Sequence, residues 1–121
     1  MFQARFDSDL GRLSLVASGF WSVEEADEAT ATVRSAASEA AAYAKPITIL
    51  SDLRGAQIQS AKVAEINMNS MAVLATLSIR KYAVVTSSQL IRLQFKRQAG
   101  SDFPLAFFED LDEAMAWLVT P

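Results

Sequence analysis

The segment Ser51-Asp52-Leu53-Arg54-Gly55, followed by Ser60 and Lys62, holds the residue types best suited to chemistry in this chain. The apolar run ITIL (47–50) ends in Ser51 and Asp52. Two further apolar runs end in polar groups, at Thr86-Ser87-Ser88 and at Glu109-Asp110. In an open α/β sheet, ligands bind outside the carboxyl ends of the strands, so neighbouring strands would gather these groups on one rim. A phospho-acceptor aspartate at 52 would need a cation to offset the transferred charge, and further carboxylates to hold it. Asp7 and Asp9 lie in a turn signal instead, and Glu109 stands where a lysine would help. The simpler role for Asp52 is to accept backbone N–H bonds and, with Gly55, to order a loop. The serines have no histidine to activate them, and no G-x-S-x-G elbow is present. Ser60 and Lys62 therefore read as a helix cap and a solvated charge. With no histidine and no cysteine, imidazole, thiolate and disulfide chemistry are all excluded. A metal bound by carboxylates alone would call for clustered aspartates. The expectation is a protein that is not an enzyme, with no catalytic residue, no metal and no cofactor.

A length of 121 residues suits one domain spanning 1–121. Half the residues are hydrophobic, enough for a core that needs no staples. The net charge of -3 gives no basic surface for nucleic acid. No apolar run approaches the ~18 residues of a membrane span, and MFQARFDSDL lacks the pattern of a signal peptide. These features lead to an expectation of a cytoplasmic protein.

Along the chain, FQARF (2–6) and RLSLVASG (12–19) alternate around the turn signal DSDLG (7–11), as in a β-hairpin. Ser22 and Glu25 have capping-box spacing ahead of an alanine-rich helix that should run to residue 44, before Lys45 and Pro46. ITIL reads as a strand buried on both faces, with residues 51–59 as loop. Ser60 caps a helix over 61–77. YAVVT (82–86) is a second buried strand, Ser88 caps QLIRLQFKRQA, and Gly100 stops it. Asp102 to Pro104 is a turn and LAFFE (105–109) a third strand. Asp110 and Glu113 repeat the capping-box spacing before LDEAMAWLV. The order ββαβαβαβα predicts an α/β fold with a mixed sheet, parallel apart from the opening hairpin.

The helix over 61–77 has a wider apolar arc than one sheet contact needs. Val63, Ile66, Val73, Leu74 and Leu77 suit the core, while Met68 and Met71, with Asn67 beside them, widen the arc. Asn67, Met68 and Met71 are thus candidates for a partner subunit, for self-association as a homodimer, or for an apolar ligand. Arg92, Lys96 and Arg97 read as a solvated face whose cations favour a helix C-terminus. Trp21 and Trp117 read as core anchors.

The hairpin, "GFWSVEEA" (19–26), "ILSDLRG" (49–55) and "FFEDLDEAMAWL" (107–118) together resemble the SpoIIAA-like branch of the STAS-domain superfamily, along the whole chain. The resemblance implies a mixed sheet with helices mainly on one face, in a mostly bacterial family. It also implies a regulatory domain that binds a protein. Anti-sigma-factor antagonists of this fold are switched by phosphorylation of a serine in a D-S-S-G segment. The matching stretch here is I-Q-S-A-K (58–62), in which only Ser60 supplies a hydroxyl. A relationship to Sec14-type domains implies a second expectation, a carrier or sensor of a small apolar, lipid-like ligand. The candidate contact or phosphorylation residues are Asp52, Gly55, Ser60 and Lys62.

Overall fold

Gly11 closes the opening hairpin with a φ of +62°, which side chains other than glycine rarely adopt. A Cβ at that position would lie 2.7 Å from a ring carbon of Tyr43. The turn thus brings β1 (Phe2–Asp7) and β2 (Arg12–Gly19) together and lets an aromatic ring close over it. The structure, a computed structural model, describes residues 1–101 and 103–121. Asp102, the first residue of the expected turn before Pro104, lies outside them.

After the hairpin come α1 (Val23–Ala41), β3 (Ile47–Ala56), α2 (Ala61–Leu74), β4 (Ile79–Val85), α3 (Gln89–Ala99), β5 (Leu105–Phe108) and α4 (Leu111–Leu118). The strands form one sheet in the order β1-β2-β3-β4-β5. β1 is antiparallel to β2 and every other pair is parallel. Strands joined by crossovers that all step the same way, each right-handed, must carry their helices on one face. α1, α2 and α3 obey this rule and bury Leu13, Leu15, Ile49, Tyr82 and Val84 beneath them. α4 follows the last strand and is free of the constraint. It covers the opposite face, over Leu50, Ala83 and Val85.

The caps hold the helices where the sequence places them. Ser22 and Glu25 complete a reciprocal capping box. Ser60 and Ser88 accept from Val63 N and Ile91 N, each at 3.2 Å. Asp110 accepts from Asp112 N at 3.1 Å, one residue earlier than a capping box requires.

Several boundaries differ from expectation. α1 ends at Ala41 rather than at 44, because Tyr43 turns in against Phe6, with ring centroids 5.6 Å apart. α2 ends at Leu74 rather than at 77, where the Thr76 hydroxyl and amide both donate to Val73 O. The largest correction concerns 51–59, expected as loop. β3 continues through Ala56, because Ser18 and Gly19 at the end of β2 remain available to pair with Gly55 and Ala56. Asp52 and Gly55 are strand residues, and the connection to α2 is only 57–60. β4 likewise begins at Ile79, before the YAVVT run.

Candidate functional site

Strand alternation separates Ser51 from Asp52. Ser51 shares a face with Ile47, Ile49 and Leu53, under α1 to α3, whereas Asp52 lies on the face that carries α4. The polar ends of β3, β4 and β5 do share one rim, with Asp52 opposite Val85 and Val85 opposite Phe108, but alternation divides their side chains between its two sides. Asp52 is committed to Arg54, which donates from Nε to Oδ1 at 2.9 Å and from Nη2 to Oδ2 at 2.7 Å. Those bonds from the guanidinium hold the Asp52 carboxyl below its usual range, against a smaller opposing effect of burial.

On the other side, Ser51 opens onto a cavity of about 100 Å³ between the sheet and the three helices. Its floor is apolar: Leu15, Leu53 and Val33, closed by Met71, Leu74 and Phe95. Ser51 Oγ and Tyr82 Oη meet there at 2.9 Å, both fully buried. Tyr82 is wedged edge-on against Phe95 and Phe103, with centroids 5.7 and 5.5 Å away. Burial pushes its phenol up, and the Ser51 hydrogen bond only partly opposes the shift, so the ring stays protonated at neutral pH. A neutral hydroxyl pair of this kind can exchange one hydrogen bond with a guest. Among the described residues that line the cavity, none is a base that could make it a nucleophile.

The mouth of the cavity is built from amides, chiefly Gln57, Gln59, Gln94 and Gln98, with Asn67 on α2. Gln59 joins its parts. Its Oε1 accepts from Trp21 N at 2.9 Å, and its Nε2 donates to Gly19 O at 2.9 Å and Gln57 O at 2.8 Å. Its backbone N–H reaches Gln94 Oε1 at 3.3 Å, and Gln94 Nε2 returns to Gln59 O at 3.4 Å. One glutamine thus fastens the end of β2, the start of α1 and the side of α3 around the opening. Outside this hub, Phe20, Ile58 and Leu90 project into solvent at 58%, 41% and 65% exposure, with Leu93 at 50%.

The residues singled out from sequence fall in different places. Ser60 is exposed at the N-terminus of α2, and Lys62 points to solvent within its first turn. Gly55 is exposed in β3, where an added Cβ would stand 3.0 Å from that of Ser18. On α2, Asn67 and Met71 line the cavity, while Met68 faces outward. Arg92 and Lys96 lie over the Phe107 ring, 5.0 and 5.3 Å from its centroid. Trp21 is buried and donates from its indole to Ser18 O. Trp117 is only half-buried, beneath the Lys81 ammonium. Sequence reasoning missed Tyr82, Gln59 and Gln94. A tyrosine in a β-branched run and glutamines in a loop and a helix carry no periodic signal of their own. Among the described residues, no group of three or more acidic side chains could hold a metal ion, and no helix is long and apolar enough to cross a membrane.

A five-stranded sheet with three crossover helices on one face, one on the other and an opening hairpin defines the SpoIIAA-like class of α/β domain. The chain belongs to the SpoIIAA-like family, whose model matches residues 12–119. Among solved structures it is similar to an uncharacterized protein with a SpoIIAA-like fold from Shewanella loihica. That match has a TM-score of 0.68 at 21% identity and covers 98% of this chain and 92% of the other. It is also similar to an anti-sigma factor antagonist from Mycobacterium paratuberculosis, with a TM-score of 0.57 at 18% identity and coverage of 99% and 96%. At these identities the likeness is one of fold. No curated protein matches the chain.

Proposed function

We propose that this chain is a non-enzymatic regulatory domain that works by binding a protein. The observation that supports this reading best is the apolar rim of Phe20, Ile58 and Leu90, carried by the β2–α1 connection, the 57–60 connection and the start of α3 around the Gln59 hub. Large apolar groups held on a rigid frame beside polar amides have the character of an interaction surface. The proposed contact surface takes in the end of β3 from Asp52, the 57–60 connection and the outward side of α2 at Met68. Membership of the SpoIIAA-like family and the fold shared with an anti-sigma factor antagonist agree with it. In this reading Ser60 is first a cap. A phosphate there would gain from the helix dipole and lie near Lys62, adding negative charge to the contact surface. Affinity capture from the source cell with crosslinking tests the proposal, with Ile58→Asp and Leu90→Asp as comparisons. A specific partner or a second copy should be recovered by the native chain and lost with both variants. Repeated recovery of neither would sink the reading.

A second reading, a carrier or sensor of a small apolar ligand, draws on the cavity at Ser51 and Tyr82. An engineered apolar cavity of about 150 Å³ is known to take benzene, so this space suits a guest of a few heavy atoms unless α3 moves outward. Native mass spectrometry of freshly purified protein should show a reproducible added mass. Clean apo protein would count against this reading.

A further inference from the structure

Arg12 opens β2 on the face of the sheet that only α4 covers, away from the cavity and the apolar rim. It is 7% exposed, the most deeply buried cation among the described residues. Its Nε is enclosed with no hydrogen-bond partner. The one ion pair among the described residues is Arg54–Asp52, so none of their carboxylates lies within 4 Å of Arg12. Asp7 stands directly opposite it on β1, yet the Asp7 carboxylate is drawn into the turn, its Oδ1 accepting from Asp9 N at 2.9 Å and Leu10 N at 3.1 Å. A charge that has given up its hydration normally gains a partner in exchange, and this one has none among the described residues.

Its surroundings select the sign of the missing partner. Thr48 lies beside Arg12 in the same sheet row and Lys81 beyond Thr48, so three polar side chains line up across β2, β3 and β4. Arg5 is a diagonal neighbour on β1, opposite Ser14. The Lys81 ammonium is anchored at the C-terminal turn of α4, donating to Trp117 O at 2.9 Å and to Thr120. Around Arg12 this face therefore carries three cations, Arg5, Arg12 and Lys81, against the turn-bound Asp7, on a chain whose net charge is -3. A guanidinium presents a planar fork of donors that fits the paired oxygens of a carboxylate or phosphate. We propose that Arg12 anchors an oxyanion site between β1 and α4, taking the carboxylate or phosphate group of a small molecule. The site is independent of the protein-binding surface proposed above.

Thermal unfolding of the full chain tests it, in rising inorganic phosphate and in rising acetate, each against sodium chloride of equal ionic strength. The native chain should gain a saturable rise of about 3 °C or more in Tm with at least one anion. The anion that acts identifies the group. Arg12→Met should lose the response while folding at least as stably without the anion, because it removes a lone buried charge. Arg12→Lys, which keeps the charge and loses the fork, should respond more weakly. The Arg12 Nε–H signal in ¹⁵N spectra of the native chain gives a readout that needs no variant, and it should shift and saturate over the same concentrations. No rise beyond that in chloride, no shift of that signal, or an undiminished response in Arg12→Met would each overturn the proposal.

Discussion

Ser60 is the one hydroxyl that begins α2, and its contribution can be measured alone. Ser60→Ala leaves the Val63 N–H without its acceptor and should lower stability by about 1 kcal/mol in urea titration. Ser60→Asp keeps an acceptor beside the positive end of the helix dipole and should retain most of that stability. A loss in Ser60→Asp as large as in Ser60→Ala would show that Ser60 is held by something other than capping. Asp52 gives a pH-dependent counterpart. Its folded-state pKa is lowered by Arg54, so its stabilising effect is present above the unfolded value near 3.8 and disappears as pH falls through the lower folded value. Asp52→Asn should therefore be slightly less stable than the native chain at pH 6 and equal to it by about pH 2. Acid titrations of both proteins, followed by circular dichroism, check this. A gap that persists at the acid end would point to packing rather than charge.

At the scale of elements, α3 has the lightest attachment to the body. It buries Ile91, Phe95 and Ala99, and its flank is tied through Gln94 to Gln59. Gln59→Ala removes the side-chain acceptor of Trp21 N and the bond to Gly19 O. Amide hydrogen exchange should then quicken about tenfold or more at Trp21, and Gln94→Ala, which removes both bonds from α3 to the Gln59 backbone, should do the same through the first two turns of α3, with β3 and β4 little changed in either variant, since segments open locally where their own ties are weakened. Uniform acceleration across the sheet would contradict a local role for the hub. Element identities were legible because each helix start carries a capping side chain (Ser22, Ser60, Ser88, Asp110) and β3, β4 and β5 each contain a short apolar run. The end of β3 was not. Asp52, Arg54 and Gly55 have turn-like side chains, and only their pairing with β2 makes them strand. The cavity was hidden for the same kind of reason: Ser51 and Tyr82 are 31 residues apart, and nothing in either neighbourhood reports the other.

For the whole molecule, the alternation of helices and strands already implied a mostly parallel sheet, and handedness supplies the face on which α1 to α3 lie. The position of α4 was not legible, because no later strand constrains it. Closure of the hairpin end rests on Gly11, where the chain needs both a positive φ and room for Tyr43. Gly11→Ala should cost about 1–3 kcal/mol, read from chemical denaturation, because it combines backbone strain with a displaced ring. A neutral result would mean that the ring moves aside freely. The strand order has one more consequence. Each strand lies beside the one synthesised just before it, so the sheet can grow from one edge as the chain leaves the ribosome, and no strand has to be threaded between two already paired. Every crossover closes a separation of only tens of residues, so the pairings formed at each step are among the nearest the topology allows. In a sheet laid down in order of synthesis, nascent β2 to β4 wait only for the next segment to emerge.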